Sequence, residues 1–314
     1  MKVVALAGGV GGARLAHGLA RCLPEGDLMV IVNTGDDFEH LGLAICPDLD
    51  TVCYTLAEIA SPVTGWGRAD ESWKALETIA RLGGPDWFRL GDRDLGWHLE
   101  RTRRLQSGQP LSQVTRDFCQ ALGVAVDITP MSDDKVRTWV YTDVGELPFQ
   151  EYFVRRRCEP RVQGFRFEGA EHSRPAPGIM EALGQADCVI ICPSNPWVSV
   201  APILAVPGLR AAAAEQRVVA VSPLIGGQAV KGPAAKMYTE LGIDPSALAV
   251  ARHYGDLLVG FVLDHVDAAQ APDVNALGVQ TLVTDALMRD EADRQRLAQE
   301  VLDFAQTLAG GAIL

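Results

Sequence analysis

The sequence lacks an excess of basic residues and has no apolar run long enough to span a membrane. Its 28 Lys and Arg residues against 40 Asp and Glu residues give a formal net charge of -12. Because phosphate backbones are bound by net basic surfaces, this balance argues against a nucleic-acid partner. The chain begins with a strand that carries one lysine, where a secreted protein has a charged leader before a long apolar segment. We therefore expect a cytoplasmic protein with no membrane partner.

Paired cysteine spacings are also missing. The seven cysteines are scattered along the chain, and their spacings match no zinc-ligand pattern. Cys188 and Cys192 fall within one very apolar stretch, where the alternation of a strand places both on the same buried face. We expect these thiols to serve packing, and neither a disulfide nor a zinc site.

Low-complexity tracts, repeats and clear linkers are absent, and 48% of the 314 residues are hydrophobic. A chain of this kind buries a large core, and we predict a single α/β domain over residues 1–314. Strand candidates alternate with helical patterns, which predicts a doubly wound, Rossmann-like and mostly parallel sheet with helices on both faces. The strand candidates are Val3–Ala7, Leu28–Val32, Ala125–Thr129, Arg137–Thr142, Arg161–Phe167, Cys188–Cys192 and Arg217–Val221. The helical patterns are Ala13–Cys22, Thr51–Ala60, Asp70–Arg81, Asp94–Gln106, Ser112–Leu122, Gly178–Leu183, Pro233–Leu241 and Asp290–Ala309.

The middle third of the chain departs from this alternation. Consecutive helical patterns predict a helical insertion over residues 51–123. Three closely spaced strand-like segments, Val136–Val144, Phe149–Arg155 and Arg161–Phe167, then predict a small antiparallel extension over residues 136–168.

A glycine-rich loop follows the first strand. Gly8, Gly9, Gly11 and Gly12 fall within five residues, and helix-forming sequence comes next. Backbone N–H groups in such a loop can approach an anion, and the helix dipole adds partial positive charge. We therefore expect the loop to bind phosphate. The loop has no P-loop ending, and Arg14 stands where the dinucleotide fold needs its third glycine. The second strand also ends without the acidic residue that holds an NAD ribose. We therefore expect neither a dehydrogenase nor a conventional kinase.

Acidic clusters follow apolar segments at four further places. The clusters are Asn33–Asp37, Pro47–Thr51, Gly91–Asp94 and Met131–Asp134. Each aspartate taken singly can be explained by local structure. Asp50 or Asp94 could cap a helix, and Asp133 or Asp134 could belong to a turn. Carboxylates on neighbouring loops repel one another unless a cation or a basic group lies between them, and Mg²⁺ is a hard cation that prefers oxygen. The clusters therefore predict a magnesium site.

Small polar groups follow two later strands. Ser194 and Asn195 lie between prolines, and Ser222 precedes another proline, so these groups are suited to bind phosphate oxygens or a base edge, although well-made turns explain them equally well. Lys231 could neutralise phosphate, or be a solvated surface charge. Trp66 stands between two glycines, which leaves its ring accessible as a wall for a flat heterocycle.

Seven motifs in order along the chain resemble the CofD/FbiA family, the 2-phospho-L-lactate transferases of coenzyme F-420 biosynthesis. The motifs are Ala7–Arg14, Val32–Asp37, Cys46–Thr51, Leu90–Asp94, Pro130–Asp134, Pro193–Pro196 and Ser222–Gly226. The bacterial branch is most similar, through Gly65–Gly67 and Pro85–Trp87.

The resemblance implies transfer between two small molecules. The alcohol of the deazaflavin Fo attacks the phosphate of a guanosine diphosphate-linked donor that carries lactate or enolpyruvate. GMP leaves, and F-420-0 or its dehydro form is the product. The resemblance also implies dependence on Mg²⁺ and a homodimer.

The expected site residues, taken from the resemblance and from the local patterns together, divide into three groups. Asp50 and Arg93 are expected to contact Fo, with Asp92 and Trp66 beside them. Asp36, Asp37, Asp48 and Asp50 are expected as metal ligands, and Asp48, Asp50 and Arg93 as the catalytic set. The donor phosphates are expected at Gly8, Gly9, Gly11, Gly12, Asn33, Ser194, Asn195, Ser222 and Lys231.

Two other functions remain open at this stage. One is a transferase for another sugar nucleotide or phosphate ester, which predicts no tight fluorescent complex with Fo. The other is a regulatory protein that binds uridine-type sugar nucleotides without turnover, as relatives with the same opening loop do. The acidic pairs Pro47–Asp50 and Gly91–Asp94 favour the transferase.

Overall fold

The structure is a computed structural model and describes residues 1–310; residues 311–314 of the expected domain lie outside the described residues. The strands are β1 Val3–Ala7, β2 Leu28–Val32, β3 Phe38–His40, β4 Leu43–Ile45, β5 Asp127–Pro130, β6 Arg137–Thr142, β7 Gly145–Pro148, β8 Val162–Glu168, β9 Cys188–Ile191, β10 Arg217–Val221, β11 Leu224–Ile225, β12 Gln228–Ala229, β13 Gly260–Asp264 and β14 Gln280–Thr284. The α-helices are α1 Gly9–Cys22, α2 Pro47–Leu56, α3 Lys74–Arg81, α4 Asp92–Gln106, α5 Leu111–Ala121, α6 Ile179–Gln185, α7 Ala201–Ala205, α8 Leu209–Ala214, α9 Ala234–Glu240, α10 Ala247–Tyr254, α11 Ala271–Asn275 and α12 Glu291–Gly310.

A central sheet of seven parallel strands organises the molecule, in the order β14-β13-β10-β9-β1-β2-β5. The predicted doubly wound α/β fold is confirmed. Alternate residues of β1 face two separate cores, Val3 on the side of α1, α2 and α12 and Val4 on the side of α6 to α11. Both faces are covered, which explains why these strands are continuously apolar.

The sheet reverses its direction of winding between β1 and β9. The chain runs from β1 to β2 on one side, whereas β9 is followed by β10 on the other side. Ligands of open parallel sheets bind in the crevice outside the carboxyl ends of the strands at such a switch point. The residues that follow β1 and β9 therefore face the most favourable place for a site.

Two structural units are added to the sheet. Helices α2 to α5 lie between β4 and β5, and β6 forms an antiparallel sheet with β7 and β8. The expectation of a strand over Phe149–Arg155 is wrong, because Glu151–Arg155 is a π-helical turn. Phe149 and Phe153, four residues apart, stack with ring centroids 5.4 Å apart, a contact that helical geometry allows.

Two strands of the central sheet, β13 and β14, were not predicted from the sequence. The residues 257–263 around β13 are as apolar as the predicted strands, so a usable signal was present there, whereas β14 is only partly buried. No helix within residues 1–310 is long and apolar enough to span a membrane.

Candidate active site

The glycine turn after β1 is packed tightly against the segment that follows β9. The hydroxyl of Ser194 accepts a hydrogen bond from the N–H of Gly8 at 3.0 Å and donates one to its carbonyl oxygen at 2.8 Å. A Cβ at Gly11 would collide with the carbonyl oxygen of Pro193, and one at Gly12 would lie 2.5 Å from the Ser194 hydroxyl. Glycine is required here because the two segments meet across the switch point.

Helix α1 begins at Gly9, so the glycine turn is also the first turn of a helix of 14 residues. The first N–H groups of a helix have no acceptor within the helix. Asp48 takes one of them, because its Oδ1 accepts a hydrogen bond from the N–H of Gly9 at 2.7 Å. The N–H groups of Val10 and Gly11 are the remaining donors that the turn can offer to an anion.

Asp48 lies in the first turn of α2 and is almost fully buried. Helix α2 begins at Pro47, which suits the first helical position, and this places Asp48 and Asp50 in the first turn instead of Asp50 at the cap. The second oxygen of Asp48 accepts a hydrogen bond from the amide of Asn33 at 2.9 Å. Burial raises the pKa of Asp48 to about 6, against the lowering effect of its hydrogen bonds.

The loop after β2 brings two further carboxylates to the same place. The amide of Asn33 donates to Asp36 at 3.2 Å as well as to Asp48, and the amide of Gln150 in the antiparallel unit donates to Asp36 at 3.1 Å. Burial, followed by the charge of Asp48, raises the pKa of Asp36 well above its ordinary value. Burial raises the pKa of Asp37 to about 7, and the buried Oδ1 of Asp37 has no partner among the described residues.

Asp50 is held by a buried arginine. Both of its oxygens receive hydrogen bonds from the Arg101 guanidinium, one of them at 3.0 Å, and the indole of Trp97 donates to Oδ1 at 2.7 Å. Arg101 is 2% exposed. Asp50 is therefore neutralised by a guanidinium, whereas Asp36 and Asp48 receive their hydrogen bonds from uncharged N–H groups.

The outer rim is formed by the start of α4 and by the loop before α3. The Asp92 carboxylate accepts hydrogen bonds from the N–H groups of Lys74 at 3.3 Å and Ala75 at 3.0 Å, so it caps α3. These bonds and the Ser72 hydroxyl lower its pKa, with the hydroxyl contributing most. The Arg93 side chain is exposed, and Trp66 is 47% exposed.

The polar side chains that follow β9 and β10 mostly form hydrogen bonds within their own loops. The side-chain oxygen of Asn195 accepts a hydrogen bond from the backbone N–H of Trp197 at 2.9 Å and so caps the π-helical turn Pro196–Val200. The Ser222 hydroxyl closes a turn onto Leu224, donating to its carbonyl oxygen at 2.8 Å. Lys231 instead reaches across to the Trp66 loop, where its Nζ donates to the Thr64 carbonyl oxygen at 2.5 Å.

The fourth acidic cluster has a local structural role. Asp133 accepts from the backbone N–H of Ser112 at 2.7 Å and from its hydroxyl at 2.8 Å, which caps the start of α5. Asp134 accepts from the N–H of Arg174 at 2.9 Å. The turn-and-cap interpretation of this cluster fits both sets of contacts.

The buried carboxylates have the chemistry of a magnesium site but are not a complete one. Asp36, Asp37 and Asp48 are buried, their pKa values are raised, and one oxygen of Asp37 is unpartnered. In the part of the chain that the structure describes, no three His, Cys, Asp or Glu side chains are already arranged around a metal position. Mg²⁺ commonly takes one or two carboxylates and completes its shell with water and substrate phosphates. The donor set fits that mode of binding.

Sequence reasoning missed Arg101, Trp97 and Gln150. Trp97 and Arg101 lie four residues apart on α4, a helical spacing that places both on the face toward Asp50, and this spacing was a usable signal. Gln150 offered no signal, because its position depends on how the antiparallel unit packs against the β2 loop.

Comparison with known proteins identifies the family of the chain. The family model described as 2-phospho-L-lactate transferase CofD matches residues 3–303. The chain belongs to the CofD family. It is therefore a transferase, and the resemblance drawn from the seven motifs is confirmed.

Relatives within the CofD family cover the chain from end to end. A protein of Streptomyces griseus named phosphoenolpyruvate transferase is 45% identical over 314 residues, covering 98% of this chain and 99% of its own. A 2-phospho-L-lactate transferase of Methanopyrus kandleri is 40% identical over 314 residues, covering 99% of each chain. A solved structure of a UPF0052 family member from Bacillus halodurans superposes with a TM-score of 0.63 at 15% identity, covering 96% of this chain and 98% of that one. This last similarity concerns the fold alone.

Proposed function

We propose that this CofD-family transferase moves an enolpyruvyl phosphate group, or the corresponding 2-phospholactyl group, from a guanosine diphosphate-linked donor to the deazaflavin alcohol Fo. The products are dehydro-F-420-0 or F-420-0 together with GMP. The observation that carries this proposal is the meeting of the α1 N-terminus with the buried Asp48 at the switch point between β1 and β9. That arrangement supplies a phosphate site directly beside carboxylates.

The donor diphosphate is proposed to lie at the first turn of α1. The N–H groups of Val10 and Gly11 face this position, and the cations Arg14 and Lys231 stand near it. Gly8, Gly12 and Ser194 then act by fixing the backbone of the turn. Phosphate contacts by Asn33, Asn195 and Ser222 remain predictions, because their side chains are already hydrogen-bonded within the protein.

Fo is proposed to bind between the Trp66 loop and the start of α4. Arg93 is exposed there and can contact the acceptor, whereas Asp92 caps the start of α3. Asp50 lies deeper, fixed by Arg101 and Trp97. Its oriented charge would help to hold the acceptor and the ribityl hydroxyl in line with the phosphorus atom.

Asp36 and Asp37 are the residues that would hold Mg²⁺, with Asp50 a less available ligand because the Arg101 cation already pairs with its oxygens, and with Asp48 left as the proton acceptor. When bound, Mg²⁺ would neutralise charge on the diphosphate and on the departing GMP. The pKa of Asp48, about 6, suits acceptance of the hydroxyl proton near neutral pH. Most of the rate acceleration is expected from positioning and charge neutralisation.

The enolpyruvyl donor is favoured over the lactyl donor by the relatives. The phosphoenolpyruvate transferase of Streptomyces griseus is 45% identical, and the 2-phospho-L-lactate transferase of Methanopyrus kandleri is 40% identical. A homodimer is a further proposal that follows from the family resemblance, and the cytoplasmic location remains a prediction.

Binding of Fo separates this proposal from the alternative of a regulatory protein. The deazaflavin is fluorescent, so titration of the protein into Fo reports binding, and release of GMP from a guanosine donor reports turnover. We expect saturable binding of Fo and release of GMP only when Fo and donor are both present. Binding of uridine-type sugar nucleotides with no affinity for Fo and no GMP release would establish the regulatory function instead.

A further inference from the structure

Lys231 connects two loops that belong to different halves of the proposed site. It follows β12 on one side, and its Nζ donates to the carbonyl oxygen of Thr64 at 2.5 Å on the other. Thr64 lies in the loop 61–67, which is closed by hydrogen bonds from Ser61 N–H to the Gly67 carbonyl oxygen at 3.0 Å and from Gly65 N–H to the Ser61 carbonyl oxygen at 2.9 Å. The loop carries Trp66, so Lys231 holds the acceptor side in place.

The same loop approaches the first turn of α1. A Cβ at Gly65 would lie 2.8 Å from the Nζ of Lys231 and 3.0 Å from Cγ1 of Val10. Val10 is the second residue of α1, at the glycine turn. Loop 61–67, Lys231 and the proposed diphosphate position therefore lie next to one another.

Two cations from different elements, Arg14 and Lys231, approach this position. Arg14, one turn along α1, donates to the carbonyl oxygen of Met288 at 2.8 Å. Among the residues whose side chains the structure describes, neither Arg14 nor Lys231 forms an ion pair with a carboxylate. Partial burial and then the charge of Arg14 lower the pKa of Lys231. Two cations beside a helix N-terminus favour an anion between them.

We propose that Lys231 couples donor binding to acceptor binding: its ammonium group donates to the Thr64 carbonyl oxygen and to a donor phosphate at the same time. An ammonium group has three N–H donors, and the Thr64 contact uses one of them. A bound diphosphate therefore fixes Lys231, Lys231 fixes loop 61–67, and the loop presents Trp66 to Fo. This inference rests on the proposed function and adds that the two substrates bind with positive cooperativity.

The coupling is measured by titrating the full-length protein into Fo in the presence of Mg²⁺ and following the Fo fluorescence. The titration is carried out with and without saturating inorganic pyrophosphate, which is the probe of the diphosphate position. Coupling between two sites is reciprocal and commonly amounts to a factor of about 5 or more. We expect pyrophosphate to lower the Kd of the wild-type protein for Fo by about that factor.

Variants separate coupling from anion binding and from folding. Lys231→Ala should bind Fo equally well with and without pyrophosphate, and Lys231→Arg should restore part of the effect because guanidinium also carries several N–H donors. Gly65→Ala, which places a methyl group against Nζ and Val10 at a φ of +75°, should keep pyrophosphate binding and lose the coupling. Lys2→Ala, an exposed lysine at the amino-terminal edge of the sheet, is the matched control and should behave as wild type.

The outcomes are distinguishable. Equal Fo affinity of the wild-type protein with and without pyrophosphate, or full coupling in Lys231→Ala, overturns the inference while leaving the transferase proposal intact. Absence of any Fo binding by the wild-type protein overturns the proposed function itself. Melting temperatures of Lys231→Ala and Lys231→Arg close to the wild-type value show that a change in coupling does not come from unfolding.

Discussion

Asp48 and Gly9 join two elements that are far apart in the sequence, because the aspartate at the start of α2 accepts a hydrogen bond of 2.7 Å from the first N–H of α1. A carboxylate at a helix N-terminus is stabilised by the helix dipole. Asp48 nevertheless has a raised pKa, since burial outweighs its hydrogen bonds. The residue therefore fixes the proposed phosphate turn while keeping a proton affinity useful near neutral pH.

Substitution of Asp48 by Asn tests this double role. An Asn side chain offers one acceptor oxygen and one NH₂ group, so that NH₂ would face another donor, either the Gly9 N–H or the Asn33 amide. We expect Asp48→Asn to lower kcat at least about 100-fold, as loss of a proton acceptor commonly does. Steady-state kinetics with a melting curve check this. An active variant with wild-type kcat would exclude Asp48 from the chemistry.

Asp50 and Arg101 form a buried ion pair, which predicts a specific pattern of stability. Removal of one partner from such a pair costs about 3–5 kcal/mol, because the other charge stays buried without compensation. We expect Arg101→Met and Asp50→Asn each to lose about that much free energy of unfolding, and the double variant to lose clearly less than their sum. Urea unfolding provides the values.

Arg103 on the same helix is the matched control for this pair. It is exposed and pairs with Glu100, so Arg103→Met should leave the free energy of unfolding close to the wild-type value. Losses that simply add in the Asp50 and Arg101 double variant would show that the two residues do not act as a pair.

The raised pKa values of Asp37, about 7, and Asp48, about 6, predict that stability depends on pH. An unfolded aspartate titrates near about 3.9, so between about pH 4 and 7 the folded state binds more protons than the unfolded state. The contribution of these groups to the free energy of unfolding therefore falls as pH rises through this window. Asn does not titrate, so the free energy of unfolding of Asp37→Asn, measured relative to that of the wild type, should increase by at least about 1 kcal/mol between pH 5 and pH 7.5.

Magnesium should reverse this trend if the carboxylates hold it. We expect millimolar Mg²⁺ to raise the melting temperature of the wild-type protein more at pH 7.5 than at pH 5.5, because ionised carboxylates bind the cation. The difference should shrink in Asp37→Asn. A Mg²⁺ effect that is independent of pH and equal in the two proteins would place the cation elsewhere.

Arg93 is predicted to contribute to acceptor binding and little to stability. Its side chain is exposed at the start of α4, so Arg93→Ala should leave the melting temperature nearly unchanged. A hydrogen bond to a charged group contributes about 1.5–3 kcal/mol, which corresponds to a rise of about tenfold or more in KM for Fo. Arg103→Ala, also exposed on α4, is the control and should keep the wild-type KM.

The sequence was sufficient for five of the seven strands of the central sheet, all except β13 and β14, because buried parallel strands are continuous apolar runs. The candidates Val3–Ala7, Leu28–Val32 and Arg217–Val221 coincide with β1, β2 and β10. The failure at Glu151–Arg155 has a physical cause, since an apolar spacing of four fits a helix as well as an irregular strand. Tertiary packing decided between the two.

The side-chain network of the site was less accessible to sequence reasoning. The helical pattern Thr51–Ala60 predicted Asp50 as a cap, whereas α2 begins at Pro47. Only the contact of α4 with α2 shows that Arg101 neutralises Asp50 and not Asp48. In the same way, the role of Gln150 depends on contact between the antiparallel unit and the β2 loop. Long-range contacts of this kind leave no signature in a single sequence.

The measurement that tests the proposed transfer most directly is the mass of the product formed from Fo, Mg²⁺ and each of three guanosine diphosphate-linked donors, carrying enolpyruvate, lactate or glycerate. Our account predicts that the enolpyruvyl donor gives one product, Fo joined through a phosphodiester to enolpyruvate, with GMP in equal amount. Formation of no Fo adduct from any donor, or release of GMP with Fo unchanged, would contradict it.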